Sequence, residues 1–574
     1  MITPLPARAF KRFRRVSCLI QAARITCHYG LRSLFERCIG VPYTIFVTTT
    51  LTGEALDFLR RAEGVEVRIL PPNRAEVLKV ISEADGLIIR DELQVDAELL
   101  AHAKRLKVIG RVGVGLAGID IEAATARGVM VMHTPGVNAI STAEYTFALI
   151  LALARQVVTA HTELERGLWL RQAHIGTELY GKVLGIIGMG RVGRRVAERA
   201  IAFGMDVIAY DPYVAESQIS DLRVKLVGFE EVLRRSDFIS LHCAYTPETA
   251  NLLNAEAFRL IKAGARLINV AHGGVVDEAA LAAALRSGRL SGAALDVFAN
   301  EPPTDSPLIG LPNVIHTPHM GDATLEAQRD LSIQIARQVC DALFGVDYRN
   351  IVNMPFMPGR AFDAMQPYLQ LAERIGALHH YLARGRIRRV AVEYKGEELD
   401  GLVKPLTVAL LKGMLAPVLG EGVNYINAPL VAMERGIHVT QTKGLDVVDY
   451  TNLVSCQVHW EGGGGQVISG ALFNRREPRI VQIDEYRSDF VPSGVLLIFG
   501  SYDVPGVIGK VGTLLGENGI NIAAWRTGRA TKGGQTLTVL TLDQPLSNEL
   551  LERFKSLDFV RHATQVSLPG LGQD

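Results

Sequence analysis

The sequence predicts an α/β protein in which parallel sheets are followed by two smaller α+β units. Short apolar strands alternate with helices over roughly the first 350 residues, a pattern typical of parallel sheets. Residues 494–570 follow the order strand, helix, strand, strand, helix, strand, which is the ferredoxin-like pattern. A chain of 574 residues is too long for a single hydrophobic core, so we expect three or more domains.

The first α/β unit begins with PYTIFVTTTL at residues 42–51. Its β-branched and aromatic residues predict a strand, and a helix is expected to open near Thr52. The segments VEVRIL and ADGLIIR continue the alternation of strand and helix. These elements together predict a parallel sheet.

A second α/β unit is predicted from about residue 140. A long helix over residues 142–160 leads into KVLGIIGMGRVG, a strand that ends in a glycine-rich turn. Further strands are predicted at FISLH, ARLINVA, GAALDVF and VIHTPH, and a last helix runs towards residue 345.

The chain then divides at NMPFMPG, residues 353–359, where two prolines and a glycine predict a linker. Residues 360–490 mix helices and strands around WEGGGGQ at 460–466, which predicts a flexible hairpin turn. The ferredoxin-like unit follows.

Composition argues against several kinds of partner. Hydrophobic residues make up 48% of the chain, charged residues 21%, and the formal net charge is +1, so neither nucleic acid nor an acidic membrane is an expected partner. No apolar run reaches the roughly 18–20 residues that span a bilayer. The apolar segment TFALILALA, residues 146–154, predicts a buried helix instead.

The cysteines predict neither a disulfide framework nor a metal site. Three of the six lie near the start of the chain, and Cys243, Cys340 and Cys456 are scattered through apolar sequence. Because no two of them form a C-x-x-C pair, we expect free thiols, no bound metal and a reducing, cytoplasmic location.

Residues 1–42 form a basic N-terminal extension that is rich in arginine, with Glu36 as its one acid. Such a leader can be an organellar transit peptide. It can also be a tail created by an upstream start codon, an interpretation favoured by its few serines and the lack of a clear cleavage site.

The motif GMGRVG predicts a dinucleotide site. Gly188, Gly190 and Gly193 follow an apolar strand, open a helix, and precede Asp211 by 211 − 193 = 18 residues, close to the spacing of about 20 in dinucleotide-binding folds. Glycines let the backbone approach a pyrophosphate, and the helix start supplies amide donors. Asp211 would accept hydrogen bonds from ribose hydroxyls and repel a 2′-phosphate, which favours NAD over NADP.

These motifs, together with further ones along the chain, resemble the long-form D-3-phosphoglycerate dehydrogenases of the D-2-hydroxyacid dehydrogenase family. The further motifs are GGVVDEAAL, GAALDVFANEPP, TPHMGDATLEAQ, INAPLVAMERGI, NRREPRIV and DVPGVIGKVGTLLGENGINIA, and the resemblance covers about residues 42–571.

The resemblance implies a Rossmann-like nucleotide-binding domain inserted in a flavodoxin-like substrate domain, followed by an α+β intervening domain and a ferredoxin-like ACT domain. The implied bounds are 43–140 and 327–350 for the substrate-binding domain, 141–326 for the NAD-binding domain, 355–490 for the intervening domain and 494–571 for the ACT domain.

The implied chemistry is hydride transfer between C2 of a hydroxy acid and the nicotinamide. His319, in TPHMG, would be the acid/base, Glu301 its carboxylate partner, and Asp296 a contact of the nicotinamide end. A carboxylate beside an imidazole stabilises the imidazolium and orients the ring for proton transfer. The expected reaction is oxidation of 3-phosphoglycerate to 3-phosphohydroxypyruvate, the first step of L-serine biosynthesis.

Matching positions give the remaining site residues that the resemblance implies. For the cofactor they are Arg191, Val192, Cys243, Ala271 and Val114, and for the substrate they are Arg90, Gly113 and Asn138.

His272, in NVAHGGVVDE, departs from the family pattern, which has an arginine there. Arginine grips a carboxylate through two bonds and is always charged, whereas histidine gives one directed bond and is mostly neutral above its pKa of about 6.5. Asp91 and Glu92, beside the retained Arg90, would also repel an anionic substrate.

The ACT resemblance implies an amino-acid effector, L-serine in the family, bound at a dimer interface. Asp503, Gly506 and Asn521 match its effector positions, and a homodimer or homotetramer is expected. In the intervening domain, the arginines of NRREPRI are expected either to bind an anion or to form a solvated basic hairpin. These arginines are Arg475, Arg476 and Arg479.

Three hypotheses follow, in order of preference. The chain is an NAD-dependent 3-phosphoglycerate dehydrogenase under feedback control, with His319, Glu301 and His272 as catalytic residues. It is alternatively a dehydrogenase of another, less anionic D-2-hydroxy acid. The last alternative is a catalytically impaired regulator that binds NAD or an effector.

Overall fold

The computed structural model describes residues 42–90, 92–116, 118–356, 362–444 and 450–570, which form four sheets. The basic extension up to residue 41, with its three cysteines, lies outside the described residues, as does Asp91.

The first sheet is parallel, with strand order β2-β1-β3-β4-β5, the flavodoxin-like order. Its strands are β1 (Tyr43–Val47), β2 (Val65–Ile69), β3 (Gly86–Ile89), β4 (Val108–Arg111) and β5 (Met130–Met132). The helices between them are α1 (Gly53–Arg61), α2 (Arg74–Val80), α3 (Ala97–His102) and α4 (Ile121–Ala126). The predicted strand at residue 42 and the helix near Thr52 are confirmed.

The second sheet is also parallel and has the order β12-β11-β10-β9-β6-β7-β8, the doubly wound order of dinucleotide-binding folds with a seventh strand added. Its strands are β6 (Val183–Ile187), β7 (Asp206–Tyr210), β8 (Val224–Leu226), β9 (Phe238–Leu241), β10 (Ala265–Asn269), β11 (Leu290–Leu295) and β12 (Val314–His316). Its helices are α5 (Ala139–Arg155), α6 (Val157–Glu165), α7 (Arg191–Ala202), α8 (Phe229–Arg235), α9 (Ala255–Leu260) and α10 (Glu278–Arg286).

The single helix predicted over residues 142–160 is wrong, because α5 ends at Arg155 and α6 starts afresh at a 62° bend. Gln156 takes a left-handed conformation, with a φ of 53°, and its amide bonds back to Ala152. The carbonyl of Ala154 accepts instead from the amide of Thr177. A loop from farther along the chain therefore ends the helix.

Helix α11 (Leu325–Leu343) crosses from the second sheet back to the first. Leu331, Ile335 and Val339 on α11 are fully buried in the core of the first sheet. One helix that follows the last strand of the second sheet is therefore part of the core of the first sheet.

The third sheet has the order β14-β13-β15-β16-β17-β18 and is antiparallel except for β13 and β14. Its strands are β13 (Ile387–Lys395), β14 (His438–Gly444), β15 (Leu453–Trp460), β16 (Gly465–Phe473), β17 (Glu477–Ile483) and β18 (Tyr486–Phe490), and its helices are α12 (Phe362–Leu382), α13 (Val403–Leu419) and α14 (Ala428–Glu434). The hairpin turn predicted at WEGGGGQ joins β15 to β16 and is confirmed.

The fourth sheet is antiparallel with the order β20-β21-β19-β22, which confirms the ferredoxin-like prediction. Its elements are β19 (Gly494–Tyr502), α15 (Val507–Glu517), β20 (Ile522–Arg529), β21 (Gln535–Leu542), α16 (Asn548–Lys555) and β22 (Val560–Leu568). Leu496, Ile498 and Val566 of this sheet share one buried cluster with α12 and the third sheet. The two C-terminal sheets thus have a continuous core.

Across the described residues, no single helix is long and apolar enough to cross a membrane, and α5 with α6 meets that test only as a bent pair. In the same part of the chain, no group of three or more histidine, cysteine or acidic side chains is arranged to hold a metal ion.

Candidate active site

The glycine-rich turn after β6 has the shape that a pyrophosphate requires. Gly188 has a φ of 100°, and a Cβ there would lie 2.5 Å from the amide of Cys243. A Cβ on Gly193 would lie 2.1 Å from the carbonyl oxygen of Gly188, so α7 can approach the strand only with glycine at that position. A Cβ on Gly190 would meet nothing, which leaves the start of α7 open to a ligand.

Asp211 fixes this turn from the end of β7. Its Oδ2 accepts from the amide of Met189 at 2.8 Å, and its Oδ1 accepts from that of Tyr213 at 2.9 Å. The carboxylate is half-exposed where a ribose would follow the pyrophosphate. Burial and then the charge of Asp211 raise the pKa of the nearby Cys243 thiol, so Cys243 stays a neutral neighbour of the site.

His319 and Glu301 form the predicted pair, with 2.8 Å between Nδ1 and Oε2. The other carboxylate oxygen of Glu301 accepts from the amide of Phe298 at 3.1 Å. Burial by itself would raise the pKa of Glu301, but the hydrogen bond and charge of His319 outweigh it and lower that pKa. Glu301 is therefore ionised and holds the Nδ1 proton, so Nε2 is the nitrogen that can exchange a proton with substrate.

Asp296 supports the turn that carries His319. It has no exposed surface. Its Oδ1 accepts from the Thr317 hydroxyl at 2.6 Å and the Met320 amide at 2.8 Å, and its Oδ2 accepts from the Gly321 amide at 2.8 Å. Its carbonyl accepts from the amide of His319, whose φ is 53°. Asp296 thus positions the acid/base, while its contact with the nicotinamide stays a prediction.

His272 lies beside this pair. The turn that follows it leaves no room at Gly273, where a Cβ would lie 2.0 Å from the carbonyl oxygen of Phe298. His272 is half-buried, and burial first, then the charge of His319, lower its pKa, although Glu301 opposes the shift. The structure therefore brings together all three predicted catalytic residues.

Asn269, at the end of β10, is a site residue that the sequence interpretation missed. Its Nδ2 donates to the carbonyl of His272 at 2.9 Å, and its Oδ1 accepts from the amide of Ala271 at 3.1 Å. Asn269 thereby fixes the turn that holds Ala271 and His272. Its position at the carboxyl end of a parallel strand is the sequence feature from which a site residue could have been predicted.

The residues assigned to the substrate lie at the carboxyl edge of the first sheet. The Gly113 amide donates to the Thr134 hydroxyl at 2.8 Å, and Asn138 stands just before α5. Arg90 donates to Oε1 of Gln328 at 2.8 Å. Gln328 in turn donates to the carbonyl of Asp322 at 3.0 Å. Arg90 therefore ties the first sheet to the loop after His319.

Two of the residues assigned to the cofactor, Arg191 and Val192, lie in the first turn of α7, and Val114 follows β4 of the first sheet. Arg191 reaches across to Gly136, where a Cβ would lie 2.4 Å from its Nη1. Val192 packs partly buried against the core of the second sheet, and Val114 is 39% exposed. Arg191 thus spans the gap between the two parallel sheets.

Comparisons with known proteins match three parts of the chain to family models. Residues 147–321 match the NAD binding domain of D-isomer specific 2-hydroxyacid dehydrogenases, and residues 364–484 match the D-3-phosphoglycerate dehydrogenase intervening domain. Residues 495–559 match the ACT domain.

Whole-chain relatives decide the family. A D-3-phosphoglycerate dehydrogenase of Archaeoglobus fulgidus is 41% identical over 91% of this chain and all of its own length. One of Bacillus subtilis is 38% identical over 92% of this chain and all of its own length. The chain belongs to the D-3-phosphoglycerate dehydrogenase family.

The dehydrogenase half also has a solved structural counterpart. The crystal structure of a Thermus thermophilus protein is similar to 54% of this chain and 99% of its own, at 42% identity and a TM-score of 0.50. This dehydrogenase family member is an NAD-dependent oxidoreductase with an ACT regulatory domain.

The ACT domain contains a cavity of about 490 Å³ between the start of α15 and the surface of the sheet. Asp503 and Gly506 line it, but Asn521 does not. Asn521 instead donates to Asp543 at 2.6 Å on an exposed edge. Within one chain, the three predicted effector residues therefore do not meet.

Two of the three arginines of NRREPRI in the intervening domain are paired with acids of the chain itself. Arg475 donates to Glu398 at 2.8 Å, and Arg479 donates to Glu477 at 2.7 Å and Asp489 at 3.0 Å. An anion would have to displace these carboxylates, so the pairing favours the solvated-hairpin interpretation.

Proposed function

We propose that this chain oxidises D-3-phosphoglycerate with NAD to 3-phosphohydroxypyruvate, the step that opens L-serine biosynthesis. The observation that carries the proposal is the His319–Glu301 pair in a chain aligned over their whole length with relatives named D-3-phosphoglycerate dehydrogenase. The nicotinamide supplies the hydride acceptor.

In this proposal the chain's own residues move the proton. His319 takes the proton of the C2 hydroxyl on Nε2, and the ionised Glu301 stabilises the imidazolium that forms. Asp296 keeps the turn in place, and His272 faces the substrate carboxylate. The two alternatives, another D-2-hydroxy acid or an impaired regulator, rest on His272, and the names of the relatives do not favour them.

The test is NADH oxidation by purified protein with 3-phosphohydroxypyruvate, with and without residues 1–42. We expect turnover in both forms and a loss of about 10²–10⁴-fold in His319→Gln, because general acid/base catalysis contributes that much. His102→Gln, at the exposed end of α3, is the matched control. NADH binding without turnover on this substrate, but with turnover on pyruvate or glyoxylate, would move the assignment to another hydroxy acid.

L-serine is the proposed effector of the ACT cavity, and the protein is proposed to be a cytoplasmic homodimer or homotetramer without nucleic-acid or membrane partners. The free thiols Cys243, Cys340 and Cys456 support a reducing location. A contiguous segment of α6 and the loop after it exposes apolar side chains, which supports self-association. This arm surface consists of Val157, Val158, Leu164, Leu168, Trp169, Leu170 and Ile175.

A further inference from the structure

Asp503 lies at one end of the ACT cavity and forms hydrogen bonds with the hairpin between β20 and β21. Its amide donates to the carbonyl of Gly534 at 2.9 Å, and its Oδ2 accepts from the amide of Gly533 at 2.9 Å. Its Oδ1 accepts from Nη2 of Arg529 at 3.0 Å. Both carboxylate oxygens therefore already have donors from the chain itself.

Several other polar groups of the cavity are paired among themselves. The hydroxyls of Ser501 and Thr536 lie 2.8 Å apart, and Nε1 of Trp525 donates to Thr527 at 2.9 Å. Among the residues that line the cavity, all of which are described, Asp503 is the one acid. A cationic group that entered the cavity would therefore compete for Asp503.

Arg529 is the one base in that lining. Its ion pair with Asp503 is easily replaced by another cation. Its side chain is 54% exposed, whereas that of Asp503 is 20% exposed. Ion pairs with so exposed a partner are weak, so Arg529 can move into solvent while Asp503 stays in the cavity.

We propose that Arg529 is a latch: its guanidinium binds Asp503 when no effector is present. The ammonium group of an amino-acid effector takes the same position on Asp503 when it binds. The inference rests on the proposed effector site and adds its regulation. The carboxylate of the effector meets the start of α15, where Gly506 has a φ of 94° and no side chain caps the helix. Binding therefore exchanges one cation for another on Asp503 and releases Arg529.

The released side chain lies at the end of a strand that touches the intervening domain. A Cβ on Gly528 would lie 2.6 Å from the carbonyl oxygen of Arg487 on β18, so β20 and β18 are in close contact. Arg526 donates to the carbonyl of Asp489 at 3.1 Å, and the carboxylate of Asp489 accepts from Arg479. Release of Arg529 thus loosens β20 where it borders the third sheet.

The test is calorimetric titration of the full chain with L-serine, which needs no catalysis. Arg529→Gln removes the competing cation, so we expect its Kd for L-serine to be about two- to fivefold lower than that of the wild type, the range for an exposed ion pair. Arg529→Lys should fall between the two. The control Arg553→Gln, on the exposed end of α16, should leave Kd unchanged.

Hydrogen exchange gives a second readout of the latch. L-serine should speed amide exchange in β20 of the wild type, and Arg529→Gln should show the faster exchange without ligand. An unchanged or higher Kd in Arg529→Gln overturns the latch but leaves the effector site. Absence of L-serine binding in every variant overturns both, while the dehydrogenase assay decides the proposed function separately.

Discussion

At the scale of single residues, the proposed contact of His272 with the substrate carboxylate depends on the protonation state of the imidazole. Burial and the neighbouring His319 lower its pKa, so the ring is mostly neutral at and above neutral pH. A neutral imidazole offers one hydrogen bond in place of the charged fork of an arginine. We therefore expect His272 to hold a substrate carboxylate more tightly on the acid side of neutrality.

We expect His272→Arg to raise kcat/KM for 3-phosphohydroxypyruvate on the order of 10- to 100-fold at about pH 8, from the regained charged contact. In the wild type, KM should fall as the pH drops from about 8 to 6, because imidazolium accumulates below the pKa. In His272→Arg, KM should not change over that range. Steady-state kinetics at several pH values measure both effects.

His102→Arg is the matched control, since it adds the same charge at an exposed site. A wild-type KM that is independent of pH and equal to that of His272→Arg would show that another group holds the carboxylate.

The acid/base pair and the phosphate turn could be predicted from sequence because each depends on neighbouring chain. Gly188 to Asp211 lie within one strand–helix–strand unit, and Glu301 lies 18 residues before His319. The contact of Arg90 with Gln328 joins residues 238 positions apart, and no local pattern reports it. The positioning role of Asp296 likewise depends on hydrogen bonds to residues more than 20 positions later in the chain.

At the scale of elements, α12 carries a fully buried histidine into the core of the third sheet. His379 donates through Nε2 to the carbonyl of Cys456 at 3.1 Å, and its Nδ1 faces Gln466 without a hydrogen bond of normal geometry. Burial lowers the pKa of His379 to about 4. The helix therefore packs with a neutral imidazole.

This burial makes the third sheet sensitive to acid. The unfolded chain binds a proton at His379 below about pH 6.5, whereas the folded chain resists it down to about pH 4. The stabilisation is thus complete above pH 6.5 and is lost as the pH falls towards 4. We expect a loss of about 2 kcal/mol in unfolding free energy between about pH 7.5 and pH 5.

His379→Gln, which cannot be protonated, should remove that part of the pH dependence. Urea unfolding followed by Trp460 fluorescence, with the other two tryptophans changed to phenylalanine, reports on this sheet. The exposed His438→Gln should keep the wild-type slope. An equal slope in His379→Gln would place the acid sensitivity elsewhere.

The broken helix shows why element bounds could be predicted only in part. The apolar run predicted a helix correctly, but its end at Arg155 depends on the amide of Thr177 taking the carbonyl of Ala154. A residue more than 20 positions away thus decides a local boundary. Strand order in the fourth sheet was predictable because its elements are short and consecutive.

At the scale of the whole molecule, the arm surface is an exposed apolar feature that we propose a second copy of the chain covers. Trp169 is 81% exposed and Ile175 is 74% exposed. We expect Trp169→Glu to shift the proposed oligomer towards smaller species in sedimentation velocity, because a charge in an apolar contact is costly to bury.

Ile69→Glu, at an exposed end of β2, is the control that should leave the sedimentation coefficient unchanged. A monomeric wild type, or a Trp169→Glu protein that remains dimeric, would place self-association outside the arm.

The core shared by α12 and the two C-terminal sheets limits how the ACT segment can be moved into another protein. Leu496, Ile498 and Val566 of the ACT sheet are buried in a cluster that belongs equally to the intervening domain. A recombination event that moved the ACT segment alone into another gene would carry an uncovered apolar face with it. In this chain the ACT sheet and the intervening domain therefore share one core, and grafting the ACT segment onto another enzyme would require α12 as well.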